Sequence, residues 1–84
     1  MNWFVYIVET SDKFKSFYTG YTNNLKKRIY NHNYTSRGAK YTRTRRPVKL
    51  VYKEIYESKL VAFHRERVIK KLTRKEKERL VYGQ

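Results

Sequence analysis

The sequence predicts an α/β or α+β layer fold, in which one β-sheet packs against helices and the elements follow the order β-β-α-β-α-α. Three observations lead to this prediction. Aromatic and β-branched residues cluster in three short segments, apolar residues recur at helical spacing between and after these segments, and a capping-box motif precedes the last helix. A chain of 84 residues has room for one compact core, so we expect a single domain over residues 1–84.

The first strand is predicted for residues 2–9, where six consecutive apolar or aromatic residues indicate a strand that is covered on both faces. After a polar turn, residues 17–22 are rich in aromatics and Thr, which predicts a second strand antiparallel to the first. Gly20 lies inside this strand and indicates the close approach of another backbone or of a ligand. The third strand is predicted for residues 48–56, directly after Pro47.

The first helix is predicted to begin after Thr22, Asn23 or Asn24, each of which is a favourable N-cap residue. Four residues of this helix follow the spacing i, i+3, i+4, i+7 and share one face: Leu25, Arg28, Ile29 and His32. Residues 34–46 contain almost no apolar side chains, and we interpret them as a flexible basic loop.

Two further helices are predicted after the third strand. Ser58 can cap a helix that runs to about Leu72. The apolar positions of this helix are Val61, Ala62, Val68, Ile69 and Leu72. The segment Thr73-Arg74-Lys75-Glu76 matches the capping box, so a last helix should begin at Thr73. Its residues Leu80 and Val81 are expected to face inward.

The charge of the chain is strongly unbalanced. There are 21 Lys and Arg residues against 7 Asp and Glu, which gives a net charge of +14. This value exceeds the magnitude of about 2–8 that is typical of small soluble domains. A positive field of this size attracts polyanions, and nucleic acid is the usual partner of such a domain. An anionic membrane surface is a weaker alternative, because the basic helices lack a wide Trp, Phe and Leu face.

The sequence contains no Cys, so neither a disulfide nor a thiolate metal site can brace the fold. No apolar segment approaches the ~20 residues that a bilayer-spanning helix needs. We therefore expect a cytoplasmic protein without membrane association, and a monomer by default.

Arg28 and His32 are four residues apart and therefore neighbours on the helix surface. An Arg can hold two phosphate oxygens and stabilise charge that develops on them, and a His can donate or accept a proton. The structural alternative is that these side chains only extend from the edge of an apolar stripe into solvent.

Glu66 is one of only seven acids in the chain. It could pair with a neighbouring base, or it could bind Mg²⁺ or Mn²⁺, since Mg²⁺ often takes only one or two carboxylates together with waters and substrate phosphate. Arg65 falls in the middle of the apolar arc of the same helix, where it is either paired or directed outward.

Tyr6 and Tyr18 are candidate catalytic phenols, although strand tyrosines usually serve in packing. To act as a base, a phenol must lose a proton that it normally holds up to a pH of about 10. A nearby cation is therefore required, and Arg28 or a metal on Glu66 could provide it.

These motifs resemble the GIY-YIG nuclease family, and in particular its small single-domain bacterial members. Phe4-Val5-Tyr6 stands where the family has GIY, and Tyr18-Thr19-Gly20 stands where it has YIG. Further matching positions are Thr22, Leu25, Arg28, His32, Glu66 and the segments Gly38-Ala39-Lys40-Tyr41-Thr42 and Lys70-Lys71-Leu72-Thr73. Phe4 departs from the pattern, because it replaces the leading Gly, and the Asn that some members use downstream has no counterpart after Asn33.

The resemblance implies a three-stranded antiparallel sheet flanked by helices and an endonuclease that hydrolyses one strand of DNA at a time with a single Mg²⁺ or Mn²⁺, in repair or turnover. It implies that Glu66 binds the metal and that Arg28 holds the scissile phosphate. Either Tyr6 or Tyr18 would activate water, and His32 would assist proton transfer. DNA is favoured over RNA as the substrate.

Contacts to nucleic acid are expected from the basic loop, the first helix and the strand glycine. The residues are Gly20, Lys26, Lys27, Arg37, Lys40, Arg43, Arg45 and Arg46. The same residues would also serve a non-catalytic nucleic-acid-binding module whose tyrosines stack on bases. A structural subunit of a larger ribonucleoprotein is a third reading of the charge.

Overall fold

The computed structural model of the protein describes residues 1–83, which form three strands and four helices. The strands are β1 (Trp3–Thr10), β2 (Phe17–Thr22) and β3 (Val48–Tyr56). The helices are α1 (Leu25–Tyr34), α2 (Lys40–Arg43), α3 (Lys59–Lys70) and α4 (Arg74–Tyr82). The predicted order of elements and the α+β class are confirmed, with α2 as an addition that the sequence pattern did not indicate.

The sheet is antiparallel throughout and has the strand order β2-β1-β3. Its central strand β1 is covered on both faces, and Val5, Tyr6, Ile7 and Val8 are all 0% exposed. Because side chains alternate along a strand, Val5 and Ile7 pack with the buried residues of α3. Tyr6 and Val8 point to the opposite face, where they pack with residues of α1. The central strand therefore connects the two halves of the core.

The predicted helix caps are confirmed. Asn24 is the N-cap of α1, and its side chain accepts a hydrogen bond of 3.1 Å from the backbone of Lys27. Ser58 caps α3, and Thr73 forms the full capping box with Glu76 at the start of α4. Each side chain satisfies a backbone N–H that the first turn of a helix leaves unpaired.

The buried stripe of α3 is narrower than the sequence predicted. Val61 and Val68, which we assigned to the apolar face, are 49% and 51% exposed. The buried positions are Ala62, Glu66 and Ile69, which lie one turn apart along the helix. The spacing i, i+4, i+7 gives a stripe only one residue wide, so the flanking valines remain at the surface. Leu80 and Val81 of α4 pack against the core as predicted.

The interpretation of residues 34–46 as a flexible loop is wrong. The segment contains the short helix α2, and Thr42 within it is completely buried. The Arg46 side chain donates a 2.7 Å hydrogen bond to the carbonyl oxygen of His32 and further bonds to the carbonyls of Asn31 and Thr35. These carbonyls belong to the last turn of α1 and its C-cap, where a helix leaves acceptors unpaired, although the Asn31 carbonyl also accepts from the N–H of Thr35 at 3.2 Å. Polar contacts therefore hold the segment in place, so the low apolar content was misleading.

Arg65, whose position in an apolar arc was unexplained, forms a two-point ion pair with Glu54 of β3. The distances are 2.8 Å from Nε to Oε1 and 2.9 Å from one terminal nitrogen to Oε2. The hydroxyls of Tyr52 and Tyr56 also donate to the Glu54 carboxylate. Burial alone would raise the pKa of Glu54, but the hydrogen bonds from Arg65 and the two tyrosines outweigh it and lower that pKa to about 2.

Among residues 1–83, none of the helices combines the length and the apolar character that crossing a bilayer requires.

The Glu54 cluster leads to a prediction about stability. Glu54→Gln removes the charge but keeps the size, and we expect it to lower the free energy of unfolding by about 2 kcal/mol near neutral pH. The folded-state pKa is depressed, so the stabilisation is complete above the pKa of the unfolded chain and is lost as the pH falls towards 2. The free energies of unfolding of the two proteins, measured by urea titration, should therefore become equal as the pH is lowered. Glu57→Gln, at an exposed position, is the control. A difference that stays constant with pH would contradict the prediction.

Candidate active site

Tyr6 lies at the centre of the candidate site, and the packing of Gly20 explains how it fits there. The two residues are paired across β1 and β2. A Cβ atom on Gly20 would lie only 2.7 Å from Cζ of Tyr6, which is far inside van der Waals contact. The close approach that the strand glycine indicated is therefore made by the Tyr6 ring. Gly20 is itself buried, so it contributes to the site through Tyr6 and not through a surface that nucleic acid could contact.

His32 is completely buried on α1, and both of its ring nitrogens have partners inside the protein. Nε2 lies 2.7 Å from the Tyr6 hydroxyl oxygen, and Nδ1 lies 3.0 Å from Oγ1 of Thr42. The backbone N–H of Ala39 also donates to Nδ1, at 3.3 Å. Burial lowers the pKa of His32 to about 4, and the positive charges of Arg28 and Arg46 add to this effect. His32 is therefore neutral at physiological pH.

This geometry changes the role that the sequence suggested for His32. A side chain that is 0% exposed cannot donate directly to a leaving oxygen of a substrate. His32 can therefore affect the chemistry only through the side chains that it contacts, which are Tyr6, by a hydrogen bond, and the half-buried Tyr18.

Arg28, Tyr18 and Glu66 all act electrostatically on Tyr6. Burial raises the pKa of Tyr6 to about 12, and the nearby Tyr18 and Glu66 push in the same direction. The Arg28 guanidinium opposes them through a hydrogen bond and through its charge. Tyr18, Arg28 and Glu66 are therefore close enough to Tyr6 to affect its pKa, although the four residues lie on four different elements, β1, β2, α1 and α3.

Tyr18 is the more accessible of the two candidate phenols, since it is half-buried whereas Tyr6 is fully buried. Its ring meets the edge of His32 at a centroid distance of 5.3 Å and stacks on Tyr41 at 6.1 Å. The ammonium group of Lys70 lies 5.8 Å from its centroid. The position of the ring is thus determined by three neighbours, and a positive charge is held over its face.

Glu66 is connected to Tyr18 through the same lysine. Lys70 Nζ lies 3.3 Å from Oε2 of Glu66, and the Glu66 side chain is only 9% exposed. This ion pair satisfies the structural alternative for Glu66 and also shows that its carboxylate lies beside the tyrosine site. The carboxylate opens onto a shallow depression whose other lining residues are Arg67, Lys70 and Lys71.

The donor set fits a single, weakly held divalent cation. Within residues 1–83, no group of three or more His, Cys, Asp or Glu side chains could hold a metal ion. Mg²⁺ and Mn²⁺ accept one carboxylate when waters and a substrate phosphate supply the remaining oxygen ligands. Glu66 offers one such carboxylate, and its Oε2 already attracts a cationic group, the Lys70 ammonium.

The basic residues that the sequence assigned to nucleic acid divide into two groups. Five of them have exposed side chains: Lys26, Lys27, Arg37, Lys40 and Arg43. The other two are engaged within the protein. Arg46 binds the end of α1, and Arg45 lies 4.0 Å above the Tyr41 ring and 3.6 Å from the Asp12 carboxylate.

Three residues near the site were missed as functional candidates, namely Tyr41, Thr42 and Lys70. Tyr41 and Thr42 lie in the segment from Gly38 to Thr42, whose likeness to the GIY-YIG family was a usable signal. Lys70 lies four residues after Glu66, which is the spacing of an ion pair on a helix.

The three-stranded antiparallel sheet and its helices define an α+β domain, and the comparison with known families places it in the class of nucleases. Residues 2–79 match the GIY-YIG catalytic domain, and the chain belongs to this family. GIY-YIG nucleases act on nucleic acid and are generally dependent on a divalent metal.

Similar proteins from several bacteria carry the name UPF0213. The chain is 56% identical over 78 residues to a UPF0213 protein of Clostridium perfringens, covering 93% of this chain and 81% of that protein. It is 53% identical over 78 residues to a UPF0213 protein of Staphylococcus aureus, covering 93% of this chain and 92% of that protein. A solution NMR structure of a UPF0213 protein from Bacillus halodurans matches with a TM-score of 0.61 and 44% identity, over 100% of this chain and 86% of that one.

The packing of Gly20 against Tyr6 leads to a prediction about the site. The methyl group of Gly20→Ala would occupy the space of the Tyr6 hydroxyl, so we expect Tyr6 to move and its hydrogen bond to His32 to break. Overpacking of this kind costs about 1–3 kcal/mol. Thermal unfolding measures the loss, and a structure of the variant locates the ring. Thr22→Ser, in the same strand but near the surface, is the control. Wild-type stability with an intact Tyr6–His32 bond would contradict the prediction.

Proposed function

We propose that this protein is a metal-dependent endonuclease-like domain that hydrolyses a phosphodiester bond of DNA, in repair or turnover, and that residues 1–84 act as one domain. The observation that carries the proposal is the convergence of Tyr18, Arg28 and Glu66 around Tyr6, whose pKa all three affect despite their separation along the chain. Lys70 contacts both Tyr18 and Glu66 at this place.

Arg28 is the residue that we assign to the scissile phosphate. Its guanidinium lies beside the Tyr6 hydroxyl, and one of its terminal nitrogens donates 2.8 Å to the carbonyl of Arg37. This bond fixes the direction of the side chain, because it ties the guanidinium to the segment that follows α1. A guanidinium held in this way can bind phosphate oxygens and stabilise the charge that grows on them during hydrolysis.

Of the two phenols, we assign Tyr18 to the activation of the attacking water and Tyr6 to the positioning of that water. Tyr18 is half-buried, so water can reach it, and the Lys70 ammonium lies over the face of its ring. Tyr6 is completely buried and has a pKa raised to about 12, mainly by burial, so it keeps its proton at physiological pH. Its hydroxyl serves as a fixed dipole next to Arg28.

Glu66 is the residue that would hold Mg²⁺ or Mn²⁺. A divalent ion at this carboxylate would supply positive charge next to the scissile phosphate and would acidify a bound water molecule. The exposed basic residues on α1, α2 and the intervening segment are assigned to the DNA backbone: Lys26, Lys27, Arg37, Lys40 and Arg43. The net charge of +14 supports this assignment through long-range attraction of the phosphates.

The test of this proposal separates cleavage from binding. Glu66→Gln keeps the size and the buried position of the side chain but removes the charge that would hold the metal. We expect the nicking of supercoiled plasmid in Mg²⁺ or Mn²⁺ to fall at least about 100-fold, since a metal supplies several kcal/mol to such a reaction. DNA affinity should stay the same or increase, because a negative charge is removed from a basic surface.

Two further variants complete this experiment. Arg28→Met should also abolish nicking, whereas the exposed Glu57→Gln should leave it unchanged. If the wild-type protein nicks no better than Glu66→Gln over a range of metals and substrates, the catalytic proposal is wrong.

That result would favour the second candidate function, a non-catalytic module that binds nucleic acid. One observation supports it independently of Glu66. Tyr30 and Tyr34 on α1 are 57% and 71% exposed, and their ring centroids lie 4.9 Å apart. An exposed aromatic pair beside Lys26 and Lys27 is suited to stacking on unpaired bases.

The ion pair between Lys70 and Glu66 leads to a further prediction. If Glu66 holds the metal, the ammonium of Lys70 competes for the same carboxylate oxygen. Lys70→Met should therefore increase the affinity for Mn²⁺ in the absence of DNA, by about tenfold for each 1.4 kcal/mol of competition removed. Electron paramagnetic resonance of free Mn²⁺ measures this affinity. Lys71→Met removes the same charge from the neighbouring exposed position, and an equal effect of both variants would show that Lys70 acts only through the general field.

A further inference from the structure

Thr42 and His32 form a buried polar contact between α2 and α1 that the proposed reaction does not explain. Both residues are 0% exposed. A buried polar group is costly unless it is hydrogen-bonded, so the partners of each atom decide what the contact does. The Thr42 hydroxyl lies 3.0 Å from Nδ1 of His32 and 2.9 Å from the carbonyl oxygen of Ala39.

The Thr42 hydroxyl has one hydrogen and two acceptors within reach, the Ala39 carbonyl oxygen and Nδ1 of His32. The Ala39 carbonyl already accepts two backbone hydrogen bonds, from the N–H of Thr42 at 3.0 Å and from that of Arg43 at 3.2 Å. The Thr42 hydroxyl also donates to this oxygen, at 2.9 Å, as its third hydrogen bond. The single hydroxyl hydrogen of Thr42 is therefore shared between a crowded carbonyl oxygen and Nδ1 of His32, which lies 3.0 Å away.

The Ala39 amide also indicates that Nδ1 of His32 is a hydrogen-bond acceptor, and this determines the tautomer of the ring. Its N–H can only donate, and it points at Nδ1 from 3.3 Å. A hydrogen on Nδ1 would face this amide hydrogen directly, so Nδ1 must carry the lone pair. In a neutral imidazole the hydrogen then lies on Nε2. Nε2 therefore donates to the Tyr6 oxygen across the 2.7 Å contact.

We propose that Thr42 is a positioning residue of the active site: together with the Ala39 amide it holds Nδ1 of His32 as an acceptor, so that Nε2 donates to the Tyr6 hydroxyl. The catalytic consequence of this proposal rests on the proposed function. Because the Tyr6 oxygen receives the hydrogen from Nε2, the hydrogen of Tyr6 is free to point away from His32. His32 also meets the edge of Tyr18, so a change in its orientation affects both tyrosines.

The first test is the nitrogen-15 NMR spectrum of the imidazole rings in the wild-type protein. His32 should show an unprotonated Nδ1 and a protonated Nε2, and the exposed His64 is the reference in the same spectrum. The variant His64→Gln leaves a single imidazole and assigns the signals. A hydrogen on Nδ1 of His32, or an imidazolium near neutral pH, would overturn the proposal.

The second test is a set of substitutions at Thr42. Thr42→Val removes only the hydroxyl and should shift the Nδ1 resonance of His32 towards that of a free acceptor, whereas Thr42→Ser should restore it. Thr44→Val is the same change at an exposed position just after α2 and should have no effect. An unchanged Nδ1 signal in Thr42→Val would show that the hydroxyl does not bond to His32. Thr42→Val can also weaken the packing of α2. If this variant does not fold, the spectra of the wild-type protein and of Thr42→Ser decide whether Nδ1 is an acceptor.

The third test measures the nicking of DNA by the same variants. We expect Thr42→Val to lower the single-turnover nicking rate about tenfold, the size of one neutral hydrogen bond, with DNA affinity unchanged. Thr42→Ser should restore the rate. A wild-type rate in Thr42→Val, despite the shifted Nδ1 signal, would remove the catalytic consequence. If the wild-type protein does not nick at all, the proposed function fails, but the NMR measurements still decide the tautomer.

Discussion

The hydrogen bond between the Tyr6 hydroxyl and Nε2 of His32 joins the central strand to α1, and the candidate site is organised around it. Both residues are completely buried, so the bond forms where water cannot compete for either partner. It can form only because Gly20 leaves room for the Tyr6 ring on the neighbouring strand. A glycine, a tyrosine and a histidine on three different elements thus depend on one another.

His32 is also held by the segment that follows α1, through contacts to Nδ1 and to its backbone carbonyl. Thr42 and the Ala39 amide contact Nδ1, and Arg46 binds the carbonyl oxygen of the same histidine. Two of these contacts come from side chains in a stretch with almost no apolar residues. A protein of 84 residues has few apolar side chains to place in such a segment, and hydrogen bonds to the exposed end of a helix provide an alternative way to order it.

Much of the fold could be predicted from the sequence because it rests on local rules. The alternation and length of the strands, the Asn24 and Ser58 caps and the capping box at Thr73 are each visible within a few residues. Helix α2 could not be found in this way, since its order comes from contacts with α1. The exposure of Val61 and Val68 was also missed, because periodicity does not reveal how wide a stripe the sheet will cover.

For the site, the sequence indicated the members but not their relations. The spacing of Arg28 and His32 placed them on one face of a helix, but not which of them would be buried. Pairing with a neighbouring base was one of two possibilities for Glu66, but the sequence did not show that its side chain would be nearly covered and paired with Lys70. Arg65 is explained only by Glu54, which lies 11 residues earlier on another element. Such pairings depend on which strand comes to lie beside which helix, and this is a property of the assembled fold.

Core and site share residues in this small domain, and this overlap determines what substitutions can reveal. Tyr6 and His32 contribute to packing as well as to the candidate chemistry, so their removal would confound stability with activity. At the rim of the site, the Lys70 side chain is half exposed and the Glu66 side chain is nearly covered, and a substitution that removes a charge there but keeps the size leaves the packing of Tyr6 and His32 unchanged. The two roles can therefore be separated at the rim by charge-neutral substitutions. In the interior, packing and chemistry can be separated only by a spectroscopic property of His32 itself, because a reaction rate or an unfolding temperature responds to both roles.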